Sequence, residues 1–375
     1  MAEHTLTARS PAAASAPAGD RFLLRTARET VQAAGTGAAL RTVEAAERAL
    51  AAPPGGGPAA VAGVLPFDAG APAHLLPAAR LDRSRPVGGP PPAGAPPRWR
   101  LVRSAPDAAG FRRRVARALA LLEDGGLAKL VLARALDYEA DRPLDAAAVA
   151  ARLAAREPDG HTFLVDVPGP ATFVGASPEL LVSRHGRNVL TVPLAGSAPR
   201  RDDPGADRAA ARALLASAKD RYEHRIVVDE VVQRLRPLCR LAPVPAAPSL
   251  VATGDLWHLG TRIAGELTDP GVSALRLAAT LHPTPAVCGA PTRAAAAAIA
   301  ALEDVGRGWY AGAVGWTDRA GDGVWAVSLR CALIDGHRAR LYAGCGIVPG
   351  SDAGAELAET TAKLRTVMAA LGIEP

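Results

Sequence analysis

The sequence has few cysteines, few aromatic residues and no long apolar run, so several classes of protein drop out before any motif is read. Its four cysteines, Cys239, Cys288, Cys331 and Cys345, are widely spaced and form no CxxC pair. That pattern suggests neither a zinc site nor a disulfide framework, and it fits a reducing cytosol. No stretch approaches an uninterrupted membrane span, and the Ala-, Ser- and Pro-rich first nineteen residues hold no Leu-rich block. A cytoplasmic, unexported protein with no membrane role is therefore expected. The formal charge of +6 is carried by scattered arginines, without a basic run or interleaved aromatics. Nucleic acid is thus not an expected partner, whereas a small anionic substrate suits the balance. The GxSxG, HExxH and Walker-loop motifs are missing too, which leaves hydrolase, zinc-protease and P-loop chemistry without support.

What is present points to a globular enzyme. The 375 residues exceed an ordinary single domain, so two domains or one large one must be considered. Apolar residues make up 49% of the chain but aromatics only 4%, so the core must rest on aliphatic side chains and Ala-rich helices. Residues 1–19 read as a disordered tail, and the Pro- and Gly-rich stretch 84–98 as a surface loop. Helices are expected over 28–52, 111–124, 206–236 and 292–304, with a last one from about Asp352 to Leu371 capped by Ser351. Strands are expected over 61–67, 130–133, 162–167, 171–175, 180–184, 188–193, 310–317, 324–333 and 338–343. Lys129 stands at the start of the second of these.

Three polar clusters stand out. Gly175-Ala176-Ser177-Pro178-Glu179 is a small-residue turn that sets a carboxylate just ahead of an apolar strand. Such a group works as a general acid if burial raises its pKa, although a solvated turn glutamate reads the same way. In Ala218-Lys219-Asp220-Arg221-Tyr222-Glu223-His224, Asp220 and Glu223 lie three apart and share a helix face. Glu356, Glu359 and Lys363 fall at i, i+3 and i+7 near the end of the chain. Two such faces can converge on a hard cation, for which magnesium is suited; on spacing alone, two exposed ion-pairing faces are the more ordinary account. Gly344-Cys345-Gly346-Ile347-Val348 reads as a strand-to-helix turn, either a plain compact turn or one whose N–H groups suit an anion. His258 and His282, flanked by apolar residues, read by default as hydrogen-bonded core histidines.

In order and spacing these segments resemble the chorismate-utilizing enzymes, especially the isochorismate synthases of siderophore pathways. The likeness is carried by VAGVLPFD at 61–68, LAKLVLAR at 127–134, FVGASPELLV at 173–182, PLAGSAPR at 193–200 and LLASAKDRYEHRIVVDEV at 214–231. It continues through LWHLGTRIAG at 256–265, LHPTPAVCGAPTRAA at 281–295, YAGAVGW at 310–316, VSLRCAL at 327–333, LYAGCGIVPGS at 341–351 and ELAETTAKL at 356–364.

The resemblance implies one large α/β (α+β) domain over residues 20–375, with two packed, antiparallel-rich sheets, helices outside and the active site in a cleft among them. It implies that Glu223 and Glu359 bind Mg2+ directly, with Asp220 and Glu356 nearby through water, so that the metal holds the ring carboxylate of chorismate. By the same likeness Lys129 is the general base on a water attacking C2, and Glu179 is the acid that protonates the departing C4 hydroxyl from the opposite ring face. A lysine base must be uncharged near neutrality, which burial and cations such as Arg134 or the metal favour. Arg330 and Tyr310 match residues that hold the enolpyruvyl carboxylate. Gly196, Gly344, Gly346 and Lys363 match further substrate contacts, and His258 matches a position lining the cleft.

Within that family Lys129 argues for water rather than ammonia as nucleophile, so no glutaminase subunit is expected. Ala195 stands where aminodeoxychorismate-forming relatives carry a lysine, so no covalent adduct is expected either. By the same likeness Ala286 matches a further substrate-contact position. It stands where salicylate synthases tend to carry Thr, which tilts the product toward isochorismate; pyruvate elimination to give salicylate is the alternative. Cys345 and Cys288 replace smaller residues and would narrow the cleft or sensitise it to oxidation. A monomer is expected, with an isochorismate-consuming enzyme of siderophore or menaquinone assembly as its pathway neighbour.

Overall fold

Two large antiparallel sheets enclose the main core of the computed structural model, which describes residues 20–53, 55–86, 95–304 and 306–374. The tail expected at 1–19 and residues 87–94 of the expected loop lie outside the described residues. The first sheet runs Gly289–Ala290, Lys129–Ala140, Arg338–Ile347, Cys331–Asp335, Thr172–Ser177, His161–Asp166, Arg21–Arg25, Thr30–Ala34, Asp82–Ser84, with Trp99–Ala105 also pairing the second of these. The other runs Cys239–Leu241, Ile263–Leu267, Asn188–Val192, Leu180–His185, Gly323–Val327, Ala313–Asp318, Ala60–Leu65, His74–Ala78. A third, small sheet of Leu194–Pro199, Leu256–Gly260 and Ser249–Ala252 was not anticipated.

The alternation of strand side chains explains the layering. Phe163 and Val165 face the core between the sheets while Leu164 faces outward, and on the neighbouring strand Phe173 points in while Val174 and Ala176 point out. The outward set is covered by the helices Ala146–Arg156 and Ala353–Leu371. Farther along the same sheet, Leu130, Leu132 and Ile347 pack under the helices Ala108–Glu123 and Thr292–Leu302. Few aromatics are needed: Trp325, Phe22, Phe111, Phe163 and Phe173 are fully buried amid aliphatic side chains.

The structure departs from the expected elements at informative places. Residues 28–42 are not helical. Phe22 and Leu24 alternate against Val31 and Ala33 in a hairpin whose turn is closed by Thr26, and only Val43–Leu50, capped by Thr42, forms a helix. The single helix expected over 206–236 is two, Pro204–Ala216 and Ala218–Leu235. Ser217 takes extended backbone angles, ends the first and caps the second by accepting from the Asp220 N–H at 3.2 Å. The last helix is capped by Asp352 rather than Ser351, whose hydroxyl accepts from Val348 N–H instead. The strand expected over 324–333 is split between the two large sheets, and Ser328-Leu329-Arg330 makes the crossing with Arg330 in the left-handed region at φ 48°. The Gly344-Cys345-Gly346 segment is strand interior, paired to Ala133, Leu132 and Val131, and not a turn.

Candidate active site

Lys129 opens the long strand Lys129–Ala140 and is completely buried. Its ammonium lies 3.0 Å from Glu223 Oε1, an ion pair whose angle does not make a hydrogen bond. Both side chains pack over Gly346 on the adjacent strand. A β-carbon there would stand 2.1 Å from Glu223 Oε1 and 2.9 Å from Lys129 Cε, so only glycine admits them together. Gly346→Ala is therefore expected to leave the fold intact but displace both groups. Misplacement by about 1 Å costs on the order of 100-fold in rate, which steady-state kinetics beside a thermal melt will read.

Glu179 is held in the turn between Thr172–Ser177 and Leu180–His185, with Ser177 Oγ accepting from its N–H at 3.2 Å. The residue is 3% exposed, and among the described residues its carboxyl receives a single long bond, 3.5 Å, from Leu194 N–H. Burial pushes its pKa up to about 7, against the opposing pull of that N–H and the positive charges of Lys129, Arg330 and Lys363. The solvated-turn account thus fails for this glutamate.

The helices Ala218–Leu235 and Ala353–Leu371 bring the other carboxylates to the same place, and neither presents them as an open ion-pairing face. Glu223 and Glu356 are buried. Three ammonium groups meet three glutamates: Lys129 with Glu223, Lys219 with Glu356 at 2.6 Å, and Lys363 with Glu359 at 2.5 Å. Burial and the charge of Glu359 push Glu356 up. Burial acts on Glu359 too, but Lys363 and Lys219 outweigh it and hold its pKa low. Asp220 is raised by burial and by Glu223 and Glu359. Among the described residues no three Asp, Glu, His or Cys side chains converge on one point in this arrangement. Even so, the donor set of hard oxygens fits magnesium, which takes few protein ligands and keeps waters, and Glu356 Oε2 is buried without a partner.

All eight residues expected to contact substrate, Gly196, His258, Ala286, Tyr310, Arg330, Gly344, Gly346 and Lys363, line a single cleft together with Glu179, Glu223 and Glu359. Lys129, Asp220 and Glu356 stand beside this lining. Asp220 Cβ sits 3.0 Å from where a side chain at Gly196 would begin, and Gly196 itself has φ +80°. The guanidinium of Arg330 is buried on a strained, left-handed residue, and Glu157, Glu359 and Asp255 act on it through charge without closing to an ion pair among the described residues. Burial also lowers its pKa from the ordinary value. A buried cation of this kind calls for an anion. Tyr310 stacks on Tyr342, rings 5.1 Å apart. Lys363 also donates to Gly344 O at 3.0 Å. His258 is neutral, pushed well below its ordinary value by burial and then by Arg330 and Lys363, and its Nε2 has no partner. It is a cleft residue as well as a buried one. His282 is a core histidine, bonded to Pro66 O at 2.8 Å.

Two expectations about neighbours are corrected. Arg134 cannot act on Lys129 as a close cation, because five residues along one strand put them on opposite faces, and Arg134 reaches toward Thr361. Cys288 does not narrow the cleft with its thiol, which belongs to the cluster under the outer helices with Phe111 and Leu132, whereas Cys345 belongs to that cluster and also lines the cleft, beside Glu356. Sequence reasoning missed Lys219, whose only signal was its place one residue before Asp220. It also missed the pair Glu303 and Arg307 behind the cleft wall.

A family model described as chorismate binding enzyme matches residues 90–372. The chain is 47% identical over 279 residues to isochorismate synthase DhbC of Bacillus subtilis, covering 73% of this chain and 70% of that protein. It is 46% identical over 347 residues to MenF of Mycobacterium tuberculosis, covering 89% and 91%. A crystal structure of DhbC from Bacillus anthracis superposes with a TM-score of 0.89 at 37% identity, over 96% of this chain and 98% of that one.

Proposed function

This chain belongs to the chorismate binding enzyme family, and from that premise we propose that it is an isochorismate synthase, adding water at C2 of chorismate and expelling the C4 hydroxyl. The observation that carries the reading is the placement, around one cleft, of the buried carboxyl of Glu179 and the buried ammonium of Lys129, which is paired to Glu223. Glu179 keeps a proton near neutrality and is suited to protonate a hydroxyl as it leaves. Lys129 is the candidate to take the proton of the attacking water, and Glu223 is the group that holds it until substrate and metal are bound. Arg330, with Tyr310 beside it, is suited to a carboxylate of the substrate through parallel hydrogen bonds.

Glu223 and Glu359 are the candidates to hold Mg2+, with Asp220 and Glu356 acting through water. Bound there, the ion would neutralise and orient the ring carboxylate of chorismate. The remaining contacts are proposed for Gly196, His258, Ala286, Gly344, Gly346 and Lys363. Water chemistry needs no glutaminase. A monomer is proposed, which size-exclusion chromatography with light scattering will test. Both large sheets mix strands from the beginning and end of the sequence, which supports reading residues 20–375 as one catalytic unit. Four buried cysteines without disulfides suit the cytoplasm, and no described helix is long and apolar enough to cross a membrane. An enzyme that consumes isochorismate is the proposed pathway neighbour.

Purified protein given chorismate and Mg2+ is expected to form isochorismate, identified by chromatography and mass spectrometry. Salicylate with an equivalent of pyruvate would instead support the alternative, which the named relative disfavours. Unchanged chorismate would refute both.

A further inference from the structure

The strand that carries Lys129 has a gap in its outer edge. Gly289–Ala290 pairs with it at Lys129 and Leu130, and Trp99–Ala105 pairs from Ala135 onward. Between them, one backbone bond and two side chains complete the ladder. Val131 N–H donates to Cys288 O at 2.9 Å. Val131 O accepts from Arg307 Nη2 at 2.8 Å, and Ala133 N–H donates to Glu303 Oε1 at 2.7 Å. Arg307 and Glu303 are joined by two parallel bonds, Nε to Oε2 at 2.9 Å and Nη2 to Oε1 at 2.6 Å, with side chains only 3% and 4% exposed. Arg307 Nη1 reaches Val287 O at 2.7 Å, its guanidinium lies 4.2 Å over the Phe67 ring, and its own carbonyl accepts from Tyr310 N–H at 3.0 Å.

Val131, Val287 and Tyr310 are three walls of the cleft. Lys129 stands two residues before the first, and Ala286 one residue before the second. Neither Glu303 nor Arg307 lines the cleft. A buried ion pair is poor evidence for added stability, since an apolar replacement of similar volume is often as stable. What an apolar pair cannot supply is a donor for Val131 O and Val287 O and an acceptor for Ala133 N–H.

We propose that the Glu303–Arg307 pair is a positioning clasp that fixes the Lys129 strand, the Ala286-Val287 loop and Tyr310 relative to one another, and that turnover depends on it. The proposal rests on the chorismate reading. Arg307→Lys cannot bridge both carbonyls and the carboxylate, and it is expected to lower kcat about 100-fold and raise KM for chorismate about ten-fold per folded molecule. Glu303→Gln keeps an oxygen for Ala133 N–H and should recover to within about ten-fold of wild type, whereas Glu303→Ala should not. Arg21→Lys is the control. Arg21 is paired to Asp166 in the same sheet at 2.8 and 3.0 Å, and neither lines the cleft, so this change should lower Tm without moving either constant.

Wild-type kcat and KM in folded Arg307→Lys, with only a drop in Tm like that of the control, would overturn the clasp. If Arg307→Lys does not fold, unchanged constants in Glu303→Ala decide against it equally. A wild-type chain that leaves chorismate untouched would sink the functional reading separately. Amide exchange at Ala133 would still judge the clasp, by being faster or unchanged in Glu303→Ala.

Discussion

Replacing Glu179 by Gln should lower isochorismate formation by on the order of 10³-fold, within the range for loss of a general acid, while making the protein more resistant to heat at pH 8. The two effects share one cause. Glu179 has a pKa of about 7 in the folded chain against an ordinary 4.5, because burial disfavours its charge. The folded state therefore holds this proton more tightly than the unfolded state does. The carboxyl costs nothing below pH 4.5, and its burden grows as pH rises from 4.5 through about 7. At pH 8 the full difference corresponds to about 3 kcal/mol, which an uncharged glutamine does not incur. Melts of the two proteins should coincide near pH 4.5 and diverge by pH 8, with the variant higher. In the wild type, kcat/KM should fall on the alkaline side as Glu179 ionises near pH 7. A variant with normal turnover, or one less stable at pH 8, would remove Glu179 from the mechanism.

Lys129→Met should have the second large effect, again read in two ways. Turnover is expected to fall by on the order of 10³- to 10⁴-fold as the base is lost. Glu223 would also lose the ammonium 3.0 Å away, leaving a buried carboxylate without compensation, a change that costs about 3–5 kcal/mol when one partner of such a pair is removed. In metal-free buffer Tm should drop sharply. Added Mg2+ should restore more of it in the variant than it adds in the wild type, because a cation then stands in for the missing ammonium at Glu223, and turnover should stay lost. Equal Mg2+ effects on both proteins would argue that Glu223 is not a ligand.

How far the sequence foretold this site depends on the range of the interactions involved. Asp220 with Glu223, and Glu356 with Glu359, were legible as pairs because helical spacing alone puts each on one face. That the two helices meet was legible only through resemblance, since spacing favoured exposed faces. Glu179 was visible as a carboxylate ahead of a strand, but its raised pKa comes from the burial that the assembled sheets impose. Arg330 seemed to lie inside one strand. Its role depends on a crossing between sheets that gives it φ 48°, which apolar periodicity does not signal.

Other features were illegible for definite physical reasons. The Ala-rich stretch after residue 28 has helical composition, and it becomes a strand because Val31 and Ala33 find Phe22 and Leu24 across a hairpin. The Glu303–Arg307 clasp resembles any i,i+4 helix pair in the sequence. Its partners are backbone atoms of residues 131, 133 and 287, which carry no side-chain signature. Lys219 likewise gains meaning only when Glu356 arrives from far along the chain.

The central claim is that solvent water, and not the departing hydroxyl itself, is delivered to C2 by residues gathered in this cleft. Turnover of chorismate in ¹⁸O-enriched water tests it most directly. The account predicts isochorismate carrying one ¹⁸O atom, located at the C2 hydroxyl, in the wild-type protein. Isochorismate formed without the label would contradict it, since the oxygen would then have moved within the substrate and neither Lys129 nor Glu179 would have its assigned role.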